Sequence, residues 1–225
     1  MKSTESHHIR TLLASRKALL KRCIDLENEI RGLLKVFGVR LPSALVHNRF
    51  AEVVRPIIDE DDALVFALVP MLDAQQVLYA SYQELDRRVK LVPAQDPVCM
   101  LLMTASGVGA VTALHFKAAI DDPLRFTSSR LVSAHFGLTP RRFQSGESDN
   151  QGRISKAGDG DVRSALYSAA HSLLTRSRAM SPLKAWDLHL VRTKGRRRAT
   201  VAVARKLAVI LHRMWIDRTR NQWND

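Results

Sequence analysis

Apolar residues recur with a seven-residue period in two long stretches of the chain, as they do in paired α-helices. In the first stretch, Ile9 to Phe37, leucine fills one heptad position four times in succession, at Leu12, Leu19, Leu26 and Leu33. The second stretch, Ala63 to Val92, has the same period, and the shorter apolar stretch Phe50 to Ile58 lies between the two. Residues 1–92 are therefore predicted to form a long antiparallel heptad hairpin, a linker or oligomerisation element. Its second helix is expected to start or kink at Pro70.

After residue 93 the pattern changes to shorter helices with capping residues, of which Ser128 and Gly137 are examples. Helices are predicted over 100–104, 111–120, 128–136, 161–175, 182–193 and 197–218. The stretch Leu138 to Asp159 contains glycine and proline and lacks apolar periodicity, which predicts a long loop. No segment alternates as a strand does. The sequence thus predicts an all-α fold, with a compact, basic multi-helix domain over 93–225 following the hairpin.

The charge distribution singles out the C-terminal part. The 225 residues carry a formal net charge of +13, with a sequence pI near 10.4. From Gly137 onward there are 18 Lys and Arg residues and 7 Asp and Glu residues, a net charge of +11. A solvated surface would account for some of these cations, but their concentration favours nucleic-acid phosphate as the partner, with an anionic membrane second.

Other features exclude classes of protein. No apolar run approaches the roughly 18 residues that span a membrane, and the N-terminus does not read as a signal peptide. The two cysteines, Cys23 and Cys99, form no spacing motif, which is typical of a reducing compartment. A cytoplasmic protein without a membrane partner is therefore expected.

Two short clusters are candidates for holding phosphate. Gly107 and Gly109 lie between two apolar helices, where a glycine turn of the helix-hairpin-helix type presents backbone N–H groups to a phosphate, although a plain turn has the same pattern. The second cluster lies between the last two predicted helices and is rich in cations: Arg192, Lys194, Arg196, Arg197 and Arg198. Such a cluster contacts the nucleic-acid backbone without reading bases.

The predicted loop contains a candidate nucleophile. Ser145 precedes Gly146 and is surrounded in sequence by cations, which are Arg141, Arg142, Arg153 and Lys156. A hydroxyl among positive charges is suited to attack a phosphodiester, since the cations attract the phosphate and stabilise the charge that develops on its oxygens. Taken alone, a serine and a glycine in a loop are far more often structural.

Several motifs then follow one another between Leu101 and His171: Gly107-Val-Gly109, Arg125-Phe126, Gly137-Leu-Thr-Pro140, Ser145-Gly146, Arg153-Ile-Ser-Lys156 and Val162-Arg163. In this order they closely resemble the C-terminal transposase domain of the insertion-sequence group called the IS-one-ten (IS110) family. The heptad hairpin resembles the coiled-coil region of that family.

The resemblance implies a bacterial, nucleoid-associated DNA recombinase that chooses its sites with a structured RNA and works as a homo-oligomer, assembled through the heptad helices. The serine that attacks DNA and holds it covalently corresponds to Ser145, with Ser155 as the next candidate. Arg163 joins the cations of the loop as a candidate for holding phosphate.

One departure from the family bears on metal binding. Its members begin with a RuvC-like α/β domain whose acidic residues bind a divalent metal, whereas this sequence enters the heptads almost directly. The acidic run Asp59 to Asp62 reads as a helix start, and no histidine and carboxylate stand at ligand spacing. We therefore expect no metal site and no cofactor on this chain, and Mg²⁺ only with a RuvC-like domain on another polypeptide.

Two functions remain open at this point. The first is a serine-using transposase fragment that binds DNA and RNA. The second is a non-catalytic module for nucleic-acid binding and oligomerisation, a truncated remnant or inhibitor of a full-length transposase.

Overall fold

The computed structural model describes residues 2–145, 148–176 and 182–220. The chain divides into two compact units. The first, here called the hairpin unit, consists of residues 11–89. The second, called the basic unit, consists of residues 90–225 together with residues 1–10.

Three helices form the hairpin unit: α1 (Thr4–Val36), whose first turns belong to the basic unit, α2 (Phe50–Ile58) and α3 (Asp62–Leu91). The helices α1 and α3 run antiparallel, because Arg16, early in α1, bonds to Asp86, late in α3, at 2.5 Å. Further along α1, Glu27 accepts a hydrogen bond of 2.7 Å from Gln75. The predicted antiparallel hairpin is thus confirmed.

The short helix α2 closes the core of this unit. Its buried residues Phe50, Val54 and Ile58 pack with Ile30 and Leu34 of α1, and Leu68 and Leu72 of α3 complete the cluster. The helix does not start at Pro70, since α3 begins at Asp62 and runs through the proline. Proline cannot donate the hydrogen bond to the carbonyl four residues earlier, at Phe66, a residue that is 88% exposed to solvent.

The leucine series of α1 is not its most buried face. Cys23, Glu27, Ile30 and Leu34 are buried, whereas Leu33 of the leucine series is 41% exposed. The other three leucines of the series are partly buried. The hairpin therefore keeps a partly exposed apolar stripe along α1.

By length and composition, one helical stretch among the described residues, 62–95, is long and apolar enough to cross a membrane. This corrects the expectation that no apolar run approaches that length. The same stretch contains Leu68, Leu72 and Gln75, which are buried in the hairpin unit. Core helices of soluble proteins can be as long and apolar, but they are mostly buried, whereas 17% of the apolar window is buried here. A single stretch of this kind is weak evidence for a membrane span.

The basic unit is built around its last helix. Its helices are α4 (Pro97–Met103), α5 (Ala110–Ile120), α6 (Ser129–His135), α7 (Gly160–Arg176), α8 (Pro182–Lys194) and α9 (Arg196–Asp217). Helix α9 packs against α4, α6, α7 and α8. Its buried His212 lies 2.9 Å from the Ser129 hydroxyl and 2.9 Å from the Pro123 carbonyl oxygen. Burial lowers the pKa of His212, which keeps the ring neutral in the core.

The first residues of the chain belong to this unit. Lys2 donates to the carbonyl oxygens of Ala118 and Ala119 at the end of α5. Ser3 and Ser6 donate from their hydroxyls to the Asp121 carboxylate. These two hydrogen bonds lower the pKa of Asp121 to about 2.

The predicted long loop is wrong. Its middle forms two antiparallel strands, β1 (Pro140–Ser145) and β2 (Ser148–Ile154), with a register irregularity near Arg141. The strands lack the apolar alternation that marks a half-buried strand, since most of their residues are polar on both faces. Apart from this ribbon the described secondary structure is helical, which confirms the all-α class.

Candidate nucleic-acid interface

The β-ribbon places Ser145 at its far end. Ser145 is the last residue of β1 and pairs with Ser148, the first residue of β2. Residues 146 and 147 between them lie outside the described part of the chain, as do the side chains of Ser145 and Arg142. A residue at the tip of a ribbon is the one that projects farthest from the helices that carry it.

The base of the ribbon is a tight crossing of two backbone segments. Gly137 and Gly158 both have positive φ, 65° and 73°. A Cβ atom on Gly137 would come closer than 3.0 Å to the Ala157 backbone, and one on Gly158 would come equally close to the His135 carbonyl oxygen. Only glycine fits at either position without a shift of the backbone. The crossing fixes where the ribbon leaves the helical core.

Two of the candidate cations stabilise this base through hydrogen bonds to backbone carbonyl oxygens. A terminal nitrogen of Arg163 donates to the carbonyl oxygens of Phe136 at 3.1 Å and Ala157 at 2.8 Å. Arg141 donates to the carbonyl oxygen of Ser155 at 3.1 Å. Arg163 therefore has a structural role that the sequence did not indicate, since one of these acceptors, Phe136, lies 27 residues earlier in the chain.

An acidic residue completes the base. The Asp159 carboxylate accepts from the backbone N–H groups of Asp161 and Val162 and so caps α7, and it forms an ion pair of 2.9 Å with Arg10. Burial alone would raise the pKa of Asp159, but these N–H groups and Arg10 outweigh it and hold the pKa below its ordinary value. The contact with Arg10 joins the beginning of the chain to the ribbon base.

Two other cations of the ribbon region face solvent. Arg153, in β2, and Lys156, just after it, are both exposed. Lys156 has φ of 56°, an uncommon backbone conformation for a residue with a side chain. Neither forms an ion pair among the described residues, and their role in holding phosphate stays a prediction.

The junction of α8 and α9 carries a second cationic surface. Lys194 ends α8, Gly195 separates the two helices with φ of 79°, and α9 begins with three exposed arginines, Arg196, Arg197 and Arg198. Gly195 offers no capping side chain, and the first turn of α9 contains no acidic residue. Three cations beside the positive end of the helix dipole are unfavourable without an anion nearby. Within the described ranges no carboxylate pairs with them, which leaves the junction suited to phosphate.

The glycine turn connects α4 and α5 as expected, but its two glycines differ. Gly107 has φ of 82°, and a Cβ atom on it would come closer than 3.0 Å to Ala169 and Leu173 of α7. Gly109 is the N-cap of α5 and has open space around it. Gly107 is therefore required for packing against α7, whereas a side chain at Gly109 would meet no neighbouring atom.

With this geometry in place, the chain can be compared with known proteins. Residues 99–184 match the family model described as "Transposase IS116/IS110/IS902 family". The chain is also similar to the transposase for insertion sequence element IS1111A of Coxiella burnetii, with 32% identity over 98% of this chain and 61% of that protein. The chain belongs to the IS116/IS110/IS902 transposase family.

Two further proteins are also similar to this chain. A probable family 20 transposase of Pseudomonas aeruginosa is 27% identical over 94% of the chain and 64% of its own length. The pilin gene-inverting protein of Moraxella bovis is 35% identical over 83 residues, 36% of the chain. The chain spans about three fifths of the length of the Coxiella and Pseudomonas transposases.

The match with the transposase family model covers one part of the basic unit. It includes the glycine turn, the ribbon with Ser145, and the ribbon base with Arg163. It ends at residue 184, before the cations of the α8–α9 junction. The junction is thus a candidate nucleic-acid interface because of its geometry and charge. The ribbon is a candidate because of its geometry and the family match.

Proposed function

We propose that this chain is the DNA-binding and serine-presenting part of a DNA transposase or recombinase. The observation that carries the proposal is the ribbon: it lies within the family match, ends at Ser145, and stands on a base fixed by Gly137, Gly158 and Arg163. The names of the relatives, which include transposases and a gene-inverting protein, support the same class of reaction.

In the proposed reaction the Ser145 hydroxyl oxygen attacks a DNA phosphorus atom. A new bond forms between serine oxygen and phosphorus, and the bond from phosphorus to one deoxyribose oxygen breaks. The serine proton passes to a base, and the released deoxyribose oxygen takes up a proton. Cations such as Arg153 and Lys156 stabilise the charge on the phosphate oxygens, and a second attack by a DNA hydroxyl reverses the step and rejoins the strand.

Magnesium is the ion that the family resemblance implies, and the acidic run of this chain does not fit it. One oxygen of the Asp61 carboxylate accepts hydrogen bonds from the backbone N–H groups of Ala63 and Leu64 and so caps the start of α3. This geometry supports the helix-start interpretation of Asp59 to Asp62. No step is therefore assigned to Mg²⁺ on the described residues, and the proposal places it in a RuvC-like domain.

The proposed partners are DNA, a structured RNA and other copies of the chain. Arg196, Arg197 and Arg198 carry the same electrostatic attraction to either nucleic acid. The partly exposed leucine stripe of α1, which includes Leu26 and Leu33, is the proposed contact between copies. We expect Leu33→Glu to lower the oligomer size measured by sedimentation without unfolding the hairpin.

The test compares two serines of the ribbon region. The chain is incubated with labelled DNA bearing the element's end, the element's RNA, Mg²⁺ and a RuvC-like domain supplied separately. A denaturing gel then detects covalent protein–DNA adducts. We expect an adduct with the wild type and with Ser155→Ala, and none with Ser145→Ala, while DNA binding is the same in all three.

Two results would redirect the proposal. An adduct that persists in Ser145→Ala would exclude this serine as the nucleophile. Binding without any adduct in the wild type would instead favour a non-catalytic module for nucleic-acid binding and oligomerisation.

A further inference from the structure

A cluster of polar side chains, three of them buried, lies in the hairpin unit, which does not contain the ribbon. Cys23 and Glu27 lie one turn apart on α1, His47 lies in the 3₁₀ turn before α2, and Gln75 lies on α3. The Cys23 Sγ atom is 3.5 Å from a Glu27 carboxylate oxygen, and His47 Nδ1 is 2.8 Å from the other. Three residues with metal-binding side chains thus meet in the hairpin unit, with Cys23 and Glu27 buried and His47 partly exposed.

The spacing of the three ligand atoms suits a tetrahedral ion. The sulfur, nitrogen and carboxylate oxygen all lie within 4.8 Å of one another. A zinc ion has bonds of about 2.3 Å to sulfur and about 2.0 Å to nitrogen or oxygen, which places its ligands about 3.3–3.5 Å apart. The distance of 3.5 Å between Cys23 and Glu27 already has this value. His47 Nδ1 lies closer to Glu27, at 2.8 and 2.9 Å from its two oxygens, and has to move apart from the carboxylate when an ion binds.

Burial and charge also fit a divalent cation. Cys23 is fully buried and the Glu27 side chain is 6% exposed, whereas His47, at 34%, opens a path to solvent. A thiolate and a carboxylate together carry two negative charges, so a doubly charged ion leaves a neutral site with neutral histidine. A buried site without net charge avoids the large cost of an uncompensated ion.

We propose that Cys23, Glu27 and His47 form a binding site for Zn²⁺ or a chemically similar soft divalent cation, with water as the fourth ligand. A thiolate with an imidazole selects such ions over Mg²⁺ and Ca²⁺, which prefer oxygen ligands. The site is separate from the ribbon and from the magnesium of the proposed recombination reaction. Its ion joins α1 to the segment that precedes α2.

Binding replaces hydrogen bonds and releases protons. The Cys23 thiol loses its proton to solvent as sulfur binds the ion, and His47 Nδ1 must present its lone pair and give up its contact with Glu27. Burial and the Glu27 carboxylate raise the pKa of the free thiol to about 11, so at neutral pH each bound ion displaces a proton. The Gln75 amide donates to Glu27 at 2.7 Å, to the His47 carbonyl oxygen at 3.0 Å and to the Cys23 sulfur at 3.5 Å, so it contacts all three proposed ligand residues.

Cobalt(II) added to the full chain is the direct probe, because a cysteine thiolate bound to it gives a charge-transfer absorption band. We expect one Co²⁺ per chain with this band and the spectrum of a tetrahedral ion, and displacement of the cobalt by Zn²⁺. Cys23→Ser removes the band. Cys99→Ser is the matched control, since Cys99 is the other buried cysteine and lies in the basic unit, and it leaves the band unchanged.

A second variant tests the site in case Cys23→Ser does not fold. His47 is partly exposed, so His47→Gln is expected to keep the helical circular dichroism spectrum and to weaken Zn²⁺ binding by roughly tenfold or more. Zn²⁺ then raises the Tm of the wild type and fails to raise that of His47→Gln at the same concentration. A wild type without the thiolate band, or a band that survives in Cys23→Ser, overturns the proposal.

Discussion

The ribbon base and the α8–α9 junction are both rich in arginine, yet they use it differently. At the base, Arg163 and Arg141 donate to backbone carbonyl oxygens, and Arg10 pairs with Asp159. At the junction, Arg196, Arg197 and Arg198 are exposed at a helix N-terminus without a carboxylate partner among the described residues. One set of cations bonds to the protein itself, and the other has no carboxylate partner within the described ranges and is proposed to bind phosphate. Net charge alone does not distinguish them.

The glycines give the largest expected contrast between these regions. Gly137→Ala forces a Cβ atom into the Ala157 backbone and strains a positive φ, so we expect a loss of roughly 3 kcal/mol or more in the free energy of unfolding. Gly195→Ala has a similar φ but open space, and is expected to cost about 1 kcal/mol. Urea denaturation measures both, and equal losses would show that the crossing at the base is not tight.

Removing the junction arginines is expected to affect DNA affinity and not folding. Replacement of Arg196, Arg197 and Arg198 by Gln removes up to three phosphate contacts, each contributing about 0.9 to the slope of log K against log salt concentration. The slope of the triple variant is expected to be shallower by about 2 to 3, measured by fluorescence anisotropy. Its Tm stays level or rises, because the like charges at the helix N-terminus are gone. An unchanged slope would remove the junction from the interface.

Arg163→Lys is expected to lower stability and to leave DNA binding unchanged, the reverse of the junction variant. Lysine keeps the charge but cannot reproduce the guanidinium contacts with the Phe136 and Ala157 carbonyls, so unfolding free energy falls by about 1–3 kcal/mol. The salt dependence of DNA binding stays the same. A variant that is fully stable but binds DNA with a shallower slope would assign Arg163 to phosphate instead.

The smallest expected effect is on the stability of the protein at acidic pH. The folded-state pKa of Asp159 is lowered and that of Asp121 is about 2, both below the unfolded value near 3.9. Their contribution to stability is present above about pH 4 and is lost as pH falls toward 2. Asp121→Asn is therefore expected to lower the Tm slightly at pH 7 and to reduce the fall in Tm between pH 4 and pH 2. A wild-type Tm that does not fall over this range would contradict these contacts.

Sequence reasoning succeeded where local signals decide the structure. The predicted stretch Phe50 to Ile58 is α2 itself, and Ser128 caps α6 through the Arg130 backbone N–H. Heptad periodicity located α1 and α3 to within a few residues of their ends. Apolar spacing and capping residues act over one or two turns, so they are readable without tertiary structure.

The parts that were missed depend on distant contacts. The ribbon is polar on both faces, so its strands have no apolar alternation to read. The hydrogen bonds from Arg163 to the carbonyl oxygens of Phe136, Ala157 and Gly158 were not expected, while its role in holding phosphate stays a prediction. The docking of Lys2 on the end of α5 joins residues 116 positions apart. The role of Ser145 stays a prediction, because the structure gives its backbone position alone.

Identifying the residue that becomes linked to DNA tests the central claim most directly. The covalent complex is digested with a protease and a nuclease, and mass spectrometry locates the nucleotide on the remaining peptide. The account predicts a nucleotide joined through phosphate to Ser145, at the tip of the ribbon. A nucleotide on Ser155 or on any other residue would contradict it.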